Sequence, residues 1–283
     1  MTNSFLRLIF LLNIALFSSC VEDTKTKEPI NAGNDPNFTI VAHSDNGFSS
    51  FNRKVVVFGI DIYAVSSVED NKLLHAANVM AQYLDNDEDG NVDDQLVLDK
   101  MLENRAFMVM WKKENDLDNI VPPSGREGQD LGNDETHPNF VSNGRMGEFD
   151  ASLEEVIHII NNAGHSAAYP DVFGQNAGSD LANAMDIARG GRFITIPNTY
   201  PANAWYSYDD QTCDYSSCQT IEYLYWAITS ILGAQEKRLD EIDNEWRLNT
   251  RQKVKDTDSA IFALLTDPIY KIPTKLPDGT YRH

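Results

Sequence analysis

The chain has 283 residues, 42% of them hydrophobic and 10% aromatic, enough to bury a substantial core and unlike a disordered chain. Its 23 Lys and Arg stand against 43 Asp and Glu, a formal net charge of -20. Such a surface repels phosphate, which argues against nucleic acid and anionic lipid headgroups as partners and favours cations.

In chain order, the first segment is apolar. Arg7 is the only charged residue among the first 20. "LIFLLNIALF", from Leu8 to Phe17, is too short to span a bilayer and has the length of a signal-peptide core. Ser18, Ser19 and Cys20 follow. An ordinary secretory signal accounts for this pattern. It also resembles a bacterial lipoprotein signal, with Phe17 a departure from the usual small or aliphatic residue. That resemblance implies a signal peptide over 1–19, lipid on Cys20, and attachment to a membrane of the cell envelope through that lipid. Glu22 and Asp23 resemble the surface-export signal of some Gram-negative lipoproteins, which implies the outer membrane and an exposed location. Residues 20–37 are polar, with Pro29 and Pro36, and read as a tether.

Two stretches rich in β-branched residues follow, "FTIVAH" (38–43) and "KVVVFGIDIYAV" (54–65), both expected as strands. A helix is expected from about Val68 to Leu84, capped by Ser67 with Asp70, since Leu73, Ala76, Ala77, Met80 and Leu84 recur at helical spacing. A short helix over 95–104 and a strand over 106–111 come next. Residues 112–150 are polar and irregular, and loops of that length are usually functional or mobile. Helices are then expected over 153–163, 179–189 and 220–235, with a pair between 236 and 266. Strands before helices predict an α+β fold, a small N-terminal sheet with helices followed by a mainly helical half, as one domain over 38–283. Export favours a Cys213–Cys218 disulfide over free thiols.

"YLDNDEDGNVDD" (83–94) crowds like charges between two expected helices. Asp85, Asp87 and Asp89 alternate, Gly90 is sixth, Asn91 seventh and Asp93 ninth. The loop over 85–96 resembles an EF-hand calcium loop, in which positions one, three and five supply carboxylates, the sixth needs glycine, and the seventh gives a carbonyl. The resemblance implies calcium on Asp85, Asp87, Asp89, the Asn91 carbonyl and Asp93. The twelfth position, usually Glu, is Leu96, so the missing ligand must come from Asp94, Asp99 or a distant residue. The plain alternative is an acidic turn without an ion.

"SLEEVIHIINNAGH" (152–165) carries Glu154 and His158 four apart, on one helical face. A capping box of Ser152 with Glu155 and a C-cap at Gly164 would account for most of it. His158, flanked by Val156, Ile157, Ile159 and Ile160, needs a buried partner on that account. "EEVIH" also resembles a degenerate H-E-x-x-H motif of the zincin metallopeptidases, with Glu154 in place of the first His. The resemblance implies zinc on Glu154, His158 and a third ligand, for which Glu222 in "TIEYLYW" stands on a later helix, and Glu155 as the general base activating a water. His75, Asp180 and Asp186 are further candidate ligands. "AWYSYDD" (204–210) either lines a cleft for sugar or peptide or packs against helices.

Two functions follow. One is an exported calcium-binding lipoprotein with a structural or binding role, its protein, peptide or glycan partner open. The other is a zincin-like metal-dependent hydrolase, a peptidase first.

Overall fold

The computed structural model of the chain describes residue 30 and residues 33–283. The expected signal peptide, Cys20 and most of the expected tether lie outside those residues. The tether's last residues are tied down: Asp35 accepts from the backbone of Asn37 and Phe38 and from the Asn78 side chain, and Asn37 donates to the Tyr281 carbonyl.

The fold is α+β, with a five-stranded sheet in the N-terminal half and helices mostly in the C-terminal half. The strands run in sequence order across the sheet: β1 (Val41–Ala42), β2 (Arg53–Val57), β3 (Ile60–Ala64), β4 (Phe107–Trp111) and β5 (Gly128–Gly132). The expected strand over 54–65 is a hairpin instead. Phe58 and Gly59, at φ of 47° and 90°, turn the chain back, a conformation that glycine adopts without strain. β3, β4 and β5 are parallel, with Ile62 opposite Met108 and Met108 opposite Gln129. The crossover from β3 to β4 carries α1 (Asp70–Leu84) and α2 (Gln95–Glu103).

β5 falls inside the stretch expected to be irregular. "GQDLG" has no apolar run, because this edge strand pairs only with β4. Gly128 is required where it stands, since the Phe107 ring occupies the space a side chain would take. The caps also differ. Glu69 precedes α1 and its backbone N–H is satisfied by Asn133 Oδ1 at 2.8 Å, not by Ser67.

α3 (Ser152–Ile159) does not end at Gly164. It continues as a π-helical turn, Ile160–His165, and a further turn, Ser166–Ala168. Gly164 is not a cap but a contact point: a Cβ there would stand 2.7 Å from Val97 of α2. Nor does the capping box form. Ser152 Oγ donates to Asp150 Oδ2 at 2.8 Å, and Asp150 satisfies the helix start. The same carboxylate pairs with buried His75 at 2.6 Å and ties α1 to α3.

The C-terminal half is built on α4 (Asp180–Ala188), α5 (Thr220–Leu232), α6 (Arg251–Thr257) and α7 (Ser259–Thr266). α5 is buried nearly all round, as expected of a central helix. Cys213 and Cys218 form a disulfide just before it, with Cα atoms 5.4 Å apart. Among the described residues no helix is long and apolar enough to cross a membrane.

His165, in the π turn, is buried, and its Nδ1 has no hydrogen-bond partner. Burial lowers its imidazole from 6.5 to about 4. The folded chain therefore refuses a proton that the unfolded chain takes up. This contribution to stability is complete above pH 6.5 and falls away between 6.5 and about 4. The loss should reach about 3 kcal/mol. Urea unfolding of His165→Gln and the parent at pH 7 and pH 4 should show that much less acid sensitivity in the variant. Equal slopes would mean that His165 finds a partner.

Candidate metal centre

α3 and α5 pack against each other, and the contact brings Glu154, His158 and Glu222 together. Each offers one ligand atom within 4.8 Å of the others. Glu154 and His158 share a face of α3 through their four-residue spacing. Glu222 lies in the first turn of α5, where a carboxylate also suits the helix dipole.

His158 is 5% exposed. Its Nε2 has no hydrogen-bond partner and lies 3.6 Å from Glu222 Oε2. Its Nδ1 lies 3.4 Å from Glu155 Oε2. The ring is thus held between two carboxylates, and Tyr225 packs edge-on against it at 5.6 Å. An unpartnered buried ring nitrogen is costly, and this one lies beside the Glu222 carboxylate with Glu154 in the same cluster. Two donor atoms held tetrahedrally about 2.1 Å from one ion stand about 3.4 Å apart, close to the 3.6 Å between His158 Nε2 and Glu222 Oε2. The donor set, one imidazole and two carboxylates, is chemically suited to a divalent cation.

Burial raises the carboxyl of Glu154, partly offset by His158 and Tyr225. Burial likewise pushes Glu222 up to about 7, against the lowering effect of His158. Glu155 is raised by burial and by Asp130 beside it. These acids crowd a poorly solvated site, and a cation would remove the conflict. Glu155 is free of Ser152; Gln129 of β5 donates to its Oε2 at 2.5 Å. Sequence gave no signal for Gln129 or Tyr225, which come from elements distant in the chain. His75, Asp180 and Asp186 lie elsewhere: His75 pairs with Asp150, Asp180 is in the first turn of α4, and Asp186 accepts from Tyr215 and Arg192.

The acidic loop forms a second cluster. Asp85, Asp87 and Asp89 offer oxygens within 4.8 Å of one another. Gly90 takes φ of 91°, as the sixth loop position requires. Asp85 is fully buried, and its oxygens accept from the N–H groups of Asp89 and Gly90 and from the Tyr281 hydroxyl. Asn91 donates to Asp89 through backbone and side chain. Asp93 stands outside the trio, accepting from the Asn86 N–H at 2.8 Å. The two nearby substitutes for the twelfth ligand have partners of their own. Asp94 caps α2 and accepts from Tyr169, and Asp99 accepts from Gln95.

A cleft of about 380 Å³ has Tyr208 and Glu245 in its wall; none of Glu154, His158 and Glu222 lines it, but the charge of Glu222 acts on Tyr208 and that of Glu245 on Glu222. Trp226 Nε1 donates to Glu245 Oε1 at 3.1 Å. Trp226 follows Glu222 by four residues on α5, so both lie on one side of that helix. Comparison of the chain with protein-family models, curated proteins and solved structures gives no match.

Proposed function

We propose that the chain is a metal-dependent hydrolase, a peptidase first, with zinc held by Glu154, His158 and Glu222. The observation that carries this reading is the buried, unpartnered Nε2 of His158, 3.6 Å from the Glu222 carboxylate and clustered with Glu154. Structural zinc sites close the coordination shell with four protein ligands, whereas catalytic sites use three and leave one position open. Zinc bound here would supply a Lewis acid. His158, Glu154 and Glu222 would hold the ion, and their burial would keep bulk water from competing for them.

Glu155 has two roles open to it, and one variant separates them. As the proton acceptor of the zincin-like reading, its replacement by Gln abolishes cleavage and leaves zinc affinity intact. As the group that orients His158 through Nδ1, its replacement lowers zinc affinity by about 10- to 100-fold. The zinc-loaded full chain should cleave members of a mixed peptide library, and Glu222→Gln should cleave none. No cleavage by the parent chain overturns the hydrolase reading.

Calcium on Asp85, Asp87 and Asp89 is proposed as a structural ion that joins α1 to α2, supported by the convergence of the three carboxylates and the left-handed Gly90. Export and attachment through lipidated Cys20 complete the proposal, supported by the apolar run before that cysteine. A calcium-bound envelope lipoprotein with a structural or binding role is what remains if no chemistry is found.

A further inference from the structure

The cleft lined by Tyr208 and Glu245 has a chemical character of its own. Asp209 and Glu245 stand in its wall with the rings of Tyr200 and Tyr208 and the amides of Gln211 and Asn244. No Lys, Arg or His is among the residues that line it. The wall is braced from several sides. Ser207 bonds the backbone of Asn244 and Glu245, Tyr200 donates to the Tyr208 carbonyl, and Trp226 fixes the Glu245 carboxylate. Behind Tyr200, the buried guanidinium of Arg189 donates to the Tyr200 hydroxyl and to the Phe193 carbonyl. The cleft is thus an assembled concavity with two carboxylates and two tyrosines, and no cation among its lining residues; Arg189, 5.4 Å from the centre of the Tyr200 ring, backs one of those tyrosines.

We propose that this cleft is a specificity subsite that takes a basic side chain, Arg or Lys, of a polypeptide substrate. The substrate role rests on the hydrolase reading above. The recognition itself does not, because it needs only the cleft. A cationic head entering the cleft can pair with the carboxylates of Asp209 and Glu245 and lie against the Tyr208 ring. The net charge of -20 raises the local concentration of such ligands. A neutral sugar would stack on the rings but leave the two acids without a counter-ion.

The test uses the full chain, metal-free and zinc-loaded, in 0.15 M salt, at about physiological screening. Fluorescent pentapeptides with a central Arg or a central Glu are titrated by anisotropy, with cellotriose as competitor. The Arg peptide should bind about tenfold tighter than the Glu peptide. Asp209→Asn and Glu245→Gln should each remove about threefold or more of that preference. Glu103→Gln, an exposed charge on α2, should remove none. Equal affinity for the two peptides, or displacement by cellotriose, overturns the proposal. Cleavage separates it from the metal centre. Zinc-dependent cleavage without preference for basic residues sinks the subsite and leaves the hydrolase. Selective binding of the Arg peptide without cleavage sinks the hydrolase and leaves the cleft.

Discussion

His158→Ala should abolish stoichiometric zinc binding, lowering affinity by about 10³-fold or more, roughly 4 kcal/mol. His158 is the only nitrogen donor in the cluster, and its two partners are carboxylates. Without the ring, Glu154 and Glu222 face each other across a poorly solvated gap and hold a proton more readily than an ion. Zinc binding releases protons from its ligands, so the affinity of the parent chain should rise with pH. His158→Gln keeps most of the side-chain volume and guards against a trivial loss of fold. Competition with a chromophoric chelator measures the affinity, and far-UV circular dichroism establishes that each variant is folded. Undiminished binding in both variants would place the ion elsewhere.

The second large effect concerns the acidic loop. Removing calcium from the full chain should lower the melting temperature by about 5 °C, and Asp87→Ala should abolish that difference. An extracellular-type site with a dissociation constant of about 10⁻⁴ M, held in about 2 mM calcium, contributes roughly 2 kcal/mol. For a chain of this size each kcal/mol moves the midpoint by about 2–4 °C. Asp87 is the residue to replace because it is exposed and its carboxylate bonds only the nearby Asp89 N–H. Asp85 is unsuitable. It is buried and holds Tyr281 of the C-terminal segment, so its loss would destabilise the chain with or without calcium. Melting curves that coincide with and without EDTA would leave the loop an acidic turn.

The central strands and the long helices were legible because burial leaves a direct mark on composition. Lys54–Val65 is β-branched because its strands pack in the sheet, and α1 repeats its apolar residues at helical spacing. β5 left no such mark, since an edge strand with glycine at its start needs little apolar surface. Cap signals misled at both ends of α3. Asp150, two residues before the quoted motif, took the role expected of Ser152, and Gly164 served close packing with α2 instead of chain termination. The candidate metal centre was partly legible. The spacing of Glu154 and His158 is readable from sequence, and Glu222 was named as the third donor that the fold places beside them. Gln129, Tyr225 and Glu245 were not readable, because nothing in their own neighbourhoods marks them. They become meaningful only when β5, α3 and α5 are brought together.

Zinc-edge X-ray absorption on the full chain loaded with one equivalent of zinc tests the metal centre most directly. The site as built from Glu154, His158 and Glu222 predicts a first shell of nitrogen and oxygen at about 2.0–2.2 Å, with outer-shell scattering from a single imidazole. In His158→Ala that imidazole signal should vanish. A first shell containing sulfur, or an imidazole signal that survives in His158→Ala, would contradict the assignment.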